Sequence, residues 1–166
     1  GDIKYKDLNG DQKIDANDRA VLGNFFPRYE YSLNLNGGYR NFDFSMLLQG
    51  IGKMDNYLSG TGSQPFFSSS FQGSVYEHQK DYWSPENTQA AYPRLTANSI
   101  PNNYVTSSYW MRNAAFLRLK NVQLGYTFDQ GTLAALKNTK ARLYVSGQNL
   151  FTASQFFPGF DPEQRD

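Results

Sequence analysis

The sequence predicts an all-β chain, specifically a segment of an antiparallel transmembrane β-barrel with long extracellular loops. Three observations predict it. Four stretches alternate apolar and polar residues with a period of two. The connections between them are short, then very long, then short again. Aromatic residues make up 16% of the 166 residues although hydrophobic residues total only 39%, a mixture that suits barrel walls and polar loops better than a compact core.

The first stretch, residues 28 to 37, sets Tyr29, Tyr31, Leu33 and Leu35 on one face and Glu30, Ser32, Asn34 and Asn36 on the other. After a connection over Gly38-Tyr39-Arg40-Asn41 the alternation resumes as a hairpin partner, with Phe42, Phe44, Met46 and Leu48 against Asp43, Ser45 and Gln49; Leu47 interrupts the polar side. Residues 51 to 113 carry no sustained periodicity and are rich in Ser, Asn, Gly, Gln and Pro, far longer than the usual loop of a compact domain. From Phe116 to Phe128, Val122, Leu124, Tyr126 and Phe128 alternate with Asn121, Gln123, Gly125 and Thr127, but Leu117 and Leu119 are in the opposite phase. A β-bulge near Asn121, or a strand leaving the membrane before it, accounts for the switch. A connection over 129 to 139, with one helical turn at Thr132 to Lys137, leads to a last strand over Lys140 to Phe151. There Ala141, Leu143, Val145 and Gly147 oppose Arg142, Tyr144, Ser146 and Gln148.

Short turns on one side and long loops on the other are the asymmetry of outer-membrane barrels. A soluble β-sandwich also alternates. The barrel is favoured because the polar faces hold Asn, Ser, Gln, Glu and Arg, which a wet lumen accepts, while Tyr and Phe gather near strand ends, where an aromatic girdle lies.

Several function classes fall away. Net charge is +1, from 16 basic and 15 acidic residues spread along the chain, so there is no footprint for nucleic acid. The absence of cysteine removes disulfides, thiolate catalysis and Cys-ligated metals. There is no run of about twenty apolar residues for a transmembrane helix, whereas a spanning strand needs only about ten. Gly1 opens without a leader and Asp166 closes inside a Pro/Gly/acidic stretch, so the chain is expected to be a fragment, with any signal peptide upstream.

The sharpest local signal is Asp7-Leu-Asn9-Gly-Asp11-Gln-Lys13-Ile-Asp15-Ala-Asn-Asp18. Side-chain oxygens of Asp7, Asn9, Asp11, Asp15 and Asp18, with the Lys13 carbonyl, match the ligand positions of a Ca²⁺ loop. Gln12 stands where such loops place a glycine with positive φ, and Asp18 where they place a bidentate Glu, the latter familiar from dockerin-like sites. The expectation is a structural Ca²⁺ pinning a surface loop, followed by a short helix from Ala16 to Leu22. The alternative is a solvated turn of Asx hydrogen bonds.

His78 is the only histidine and reads as an ordinary loop residue. Glu77, Asp81, Glu86 and Asp161 would be the carboxylates of a glycosidase pair, but nothing in their spacing brings two together, and no catalytic residue is assigned. Tyr82, Trp83, Tyr92, Tyr104, Tyr109 and Trp110 in the long loop would either stack on a ligand or lid protein or anchor the loop.

The ordered blocks Asp7 to Asp15, Gly23-Asn24 with Pro27, the aromatic hairpin ending Gln49-Gly50, Trp83 to Asn87, Tyr92-Pro-Arg-Leu95, Leu117 to Tyr126, Val145 to Leu150 and Gly159 to Glu163 resemble the C-terminal barrel of SusC/RagA-type TonB-dependent outer-membrane receptors over nearly the whole chain. The resemblance implies a barrel of about 22 strands with a plug and other strands lying outside this chain. It also implies energisation through TonB, a SusD-like surface lipoprotein as partner, contact with outer-membrane lipid, and import of glycans or oligopeptides. From a different class, a secreted Ca²⁺-dependent carbohydrate-binding or adhesive β-domain is the alternative.

Overall fold

A computed structural model describes residues 1–66, 73–96, 98, 100–129, 141–157 and 159–163. Six strands are assigned among them: β1 (Tyr29–Tyr39), β2 (Phe42–Gly52), β3 (Asp55–Tyr57), β4 (Met111–Asn113), β5 (Phe116–Phe128) and β6 (Ala141–Ser154). The four long strands form one antiparallel sheet in the order β1-β2-β5-β6, and β3 pairs with β4. No helix among the described residues is long and apolar enough to cross a membrane. The chain divides into two compact units. Unit 1 holds Gly1–Gly23 with Asn56–Arg112, and unit 2 holds Asn24–Asp55 with Asn113–Asp166.

In unit 2 the register carries the argument. Opposed residues of an antiparallel pair share a face, so Leu35, Met46, Val122 and Gly147 make one row, and Leu33, Leu48, Leu119 and Phe151 another. The same reading gives the row Phe42, Tyr126 and Leu143. Every such row on this face is apolar, while Asn34, Ser45, Asp43, Gln123, Ser146 and Arg142 lie on the other. Among the described residues nothing packs over the apolar face: Leu33 is 51% exposed, Leu143 65% and Val145 74%.

Phe116 to Phe128 forms a single strand despite its phase switch because the pairing slips at one residue. Asn121 opposes Leu47 and Leu119 opposes Leu48, so Lys120 is supernumerary. That bulge returns Leu117 and Leu119 to the face of Val122 and Leu124. On β6 the matching irregularity falls between Gln148 and Phe151, where Asn149 takes φ 51.

The structure corrects three boundaries. The first hairpin continues through Gly37 and Gly38, which pair with Phe44 and Asp43, so its connection is only Arg40-Asn41, with Arg40 at φ 53. The helix expected over Ala16 to Leu22 is one 3-10 turn, Ala16–Asp18, capped by Asp15. The stretch from 51 to 113 finishes β2, contributes β3 and β4, and among its other described residues includes short 3-10 turns. The helical turn at Thr132 to Lys137 lies outside the described residues.

Candidate functional site

Unit 1 is organised around Trp110, only 1% exposed. Its indole N–H donates to the Asn103 carbonyl at 2.9 Å, Tyr109 meets it edge-on with centroids 4.9 Å apart, and Tyr104 and Tyr92 lie at 6.2 and 6.5 Å. Asn103, itself buried, accepts from the Ile3 N–H and donates to Asp2, both at 2.9 Å, tying the first residues to the loop. Arg94 grips the same Asp2 through two N–H groups, at 2.9 and 3.0 Å, which holds the Asp2 carboxyl below its ordinary range. Burial pushes the Tyr92 hydroxyl up to about 12.

Of the aromatic residues singled out in the sequence, Tyr92, Tyr104, Tyr109 and Trp110 therefore form one cluster inside unit 1. Trp110 offers no free face. The Tyr109 hydroxyl donates to the Ala91 carbonyl. Trp83 is half-buried, with its backbone N–H on the Tyr92 carbonyl at 2.9 Å, and Tyr82 keeps an exposed ring. His78 stacks on Tyr76 at 5.6 Å, and burial lowers its pKa.

The acidic loop closes on itself. Asp7 accepts from the N–H groups of Gly10 and Gln12 at 2.6 and 2.7 Å, Asn9 from Asp11 at 3.0 Å, and Asp11 from Lys13 at 2.8 Å. Asp18 accepts from Asp15 at 2.8 Å and Leu8 at 2.7 Å, and these two bonds hold its carboxyl below the ordinary value. Asp15 in turn accepts from Asn17 at 2.8 Å. Gly10 and Gln12 both take positive φ, 83 and 66, so Gln12 adopts the backbone for which a glycine was expected. The donor set consists of hard oxygens, as Ca²⁺ requires. In this geometry, however, the carboxylates turn to backbone N–H groups, and no cluster of three or more His, Asp or Glu side chains is gathered as a metal site among the described residues.

Three of the four carboxylates weighed for a glycosidase pair are also engaged. Glu77 pairs with Lys80 at 3.1 Å, Asp81 accepts from Asn87 and the Ala91 N–H at 2.9 and 3.0 Å, and Asp161 accepts from Arg118 at 2.6 Å.

In unit 2 the polar face carries two charged groupings. Asp43 of β2 accepts from Arg142 of β6, Oδ1 to Nε 2.9 Å, and the pair lies over Gly125 of β5. Nearer the other end, Arg118 and Lys120 of β5 hold Asp161 and Glu163. Sequence reasoning passed over this second grouping, although both halves lie in the blocks Leu117 to Tyr126 and Gly159 to Glu163. The signal was one of matched charge: two basic residues two apart facing two acidic residues two apart.

No protein-family model matches the chain. It is 33% identical over 162 residues to the TonB-dependent receptor P3 of Formosa agariphila, covering 96% of this chain and 15% of that protein. It is 31% identical over 158 residues to the receptor P26 of the same organism, covering 94% and 16%. To the TonB-dependent receptor SusC of Bacteroides thetaiotaomicron it is 29% identical over 164 residues, covering 96% and 15%. The chain thus spans about 15% of the length of these relatives. Among solved structures, the RagAB peptide importer in its open-open state matches with a TM-score of 0.66 at 20% identity, over 90% of this chain and 16% of that one. The closed-closed state matches with 0.63 at 19%, over 92% and 18%. With a four-stranded wall that is apolar on one side and polar on the other, and with these relatives along nearly its full length, the chain is similar to a stretch of the TonB-dependent receptors, and its fold is that of part of their β-barrel.

Proposed function

We propose that this chain supplies a stretch of barrel wall and an outer loop to an outer-membrane importer of glycans or oligopeptides. In this reading unit 2 separates lipid from a wet lumen, and unit 1 is an elaborated loop at the cell surface. The importer is energised through TonB by parts of the receptor outside this chain and works with a SusD-like surface lipoprotein. The observation that carries the reading is the uncovered apolar face of β1, β2, β5 and β6 opposite a mostly polar one. A soluble monomer rarely exposes an apolar patch beyond a few hundred Å², which argues against the secreted adhesive domain. The names of the relatives and of the RagAB importer support transport rather than catalysis.

The acidic loop is proposed to take a structural Ca²⁺ through Asp7, Asn9, Asp11, Asp15, Asp18 and the Lys13 carbonyl, its carboxylates swinging from their N–H partners toward the ion. Of the loop aromatics, Tyr82, with its exposed ring, is the one proposed to meet ligand or lid, and the half-buried Trp83, Tyr92 and Tyr109 contribute their edges.

Single-cysteine nitroxide labels in the full-length receptor test the wall. A label at Leu35 should be relaxed by dissolved oxygen from the lipid, and one at Asn34 by a water-soluble nickel complex. The reverse pattern overturns the reading. Uptake of labelled oligosaccharides and oligopeptides by cells with and without the receptor gene tests import, and uptake of both that is indifferent to the gene rejects it.

A further inference from the structure

The stretch after β6, described over residues 155–157 and 159–163, is not a free tail of the sheet. Arg118 of β5 directs every arm of its guanidinium to a partner. Nε donates to the Thr152 hydroxyl at 2.8 Å, Nη1 to Glu163 at 2.5 Å and to Asp161 at 3.2 Å, and Nη2 to Asp161 at 2.6 Å. Lys120 adds a second bond to Glu163 at 2.6 Å. The Arg118 side chain is only 6% exposed, and its guanidinium lies over the Phe116 ring at 5.4 Å. Phe157 and Pro162 of the same stretch are buried, and Phe157 meets Phe160 with centroids 5.7 Å apart.

The bulge at Lys120 explains how β5 presents this pair. Residues 118 and 120 point to the polar face by simple alternation, and so does Asn121, because one residue is supernumerary there. Without the bulge, keeping Arg118 and Lys120 inward would turn Val122 and Leu124 inward as well. The strand therefore breaks its register at the point where two cations must face the same way as the polar wall that follows.

We propose that Arg118 and Lys120 act as an electrostatic clamp that pins the stretch described over residues 155–157 and 159–163 as a strap against the polar face of the sheet. A guanidinium this deeply buried is stable only while its carboxylate partners stay in place, and removing one partner of such a pair is costly because the other charge is left behind. The planar Arg fork fits two carboxylates at once, whereas Lys120 contributes a point charge to the outer one. The clamp goes beyond the import reading and does not rest on it.

Hydrogen exchange on the purified full-length receptor tests the clamp. The backbone amides to follow are those of Phe156, Phe157 and Phe160, because the Glu163 N–H is itself bonded to Asp161. In the doubly substituted Asp161→Ala/Glu163→Ala receptor these amides should exchange at least tenfold faster, with amides of the β1–β2 hairpin unchanged. Exchange at the three positions within twofold of wild type overturns the clamp. Arg118→Met should produce the same local acceleration. If that variant fails to assemble, the Asp161→Ala/Glu163→Ala comparison decides alone, since both residues lie outside the strands.

Discussion

Asp43 and Arg142 sit on strands two apart in the sheet, yet they meet directly, because Gly125 on the strand between them has no side chain. A Cβ built at Gly125 would lie 2.5 Å from an Asp43 carboxylate oxygen. Both partners are partly exposed, at 42% and 37%, so the ion pair itself is worth little, and a side chain at Gly125 would meet only the flexible ends of Arg142 and Asp43. Arg142→Gln should therefore leave the unfolding midpoint of the full-length receptor nearly unchanged. Gly125→Leu, which pushes the same two side-chain ends aside, should shift it no further than breaking the pair does. Urea unfolding in lipid vesicles gives both midpoints, and a much larger loss for Gly125→Leu would show that backbone rather than the ion pair is displaced.

Leu33 and Asn34 are neighbours in β1 but belong to opposite faces. If Leu33 lies at the bilayer midplane, Leu33→Arg should cost about 2–4 kcal/mol in the assembled barrel, and Asn34→Arg should be tolerated. The same unfolding assay measures each variant, and equal penalties would mean the faces are assigned the wrong way round.

Lys120 is the supernumerary residue of β5, so the pattern should tolerate its loss. Lys120→Ala keeps the extra residue and loses one bond to Glu163, so the receptor should still assemble. Deleting the residue leaves Leu117, Leu119, Val122 and Leu124 in one phase, with Leu119 and Asn121 still opposite Leu48 and Leu47, so that variant should assemble as well. Heat-modifiable mobility of the membrane fraction on gels distinguishes folded from unfolded barrel, and a deletion variant that fails to assemble while Lys120→Ala does would refute the register.

If the acidic loop takes Ca²⁺ as proposed, Asp7→Ala combined with Asp11→Ala should abolish tight Ca²⁺ binding measured by calorimetry. Gln12→Gly should strengthen it, because holding a non-glycine residue at φ 66 costs about 1 kcal/mol or more. Binding unaltered by the double substitution rejects the ligand assignment.

Asp81 supplies a pH-dependent prediction. Its carboxylate accepts from Asn87 and from the Ala91 N–H, and these bonds hold its pKa below the ordinary 3.8. A depressed folded-state pKa contributes stability that is fully present above the unfolded value and disappears as pH falls through the folded one. The stability difference between the native receptor and Asp81→Asn should thus be constant near neutrality and shrink only below about pH 4. Melting temperatures measured across that window check it, and a difference that persists at pH 2 would count against the assignment.

The wall was legible because its information is local. Alternation named both faces, and the phase slip between Leu119 and Val122 announced the bulge before any coordinates did. Gly37-Gly38 misled, since two glycines read as a turn, whereas cross-strand pairing with Phe44 and Asp43 keeps them in the strand. The interior of unit 1 was not legible. Asn103 is buried by groups a hundred residues earlier, Ile3 and Asp2, and no window of sequence reveals that a polar residue has found such partners. Arg118 and Asp161 were hidden for the same reason, being 43 positions apart.

β2 and β5 are adjacent in space although residues 53–115 separate them, and β3 pairs with β4 just inside that interval. The entropy of closing a long excursion grows only logarithmically, about 0.6 kcal/mol for each doubling of its length. Once the short ladder has drawn the neck together, the two flanking strands register identically whatever hangs beyond it. A lineage can therefore exchange this entire excursion for another without renegotiating a single rung between β2 and β5.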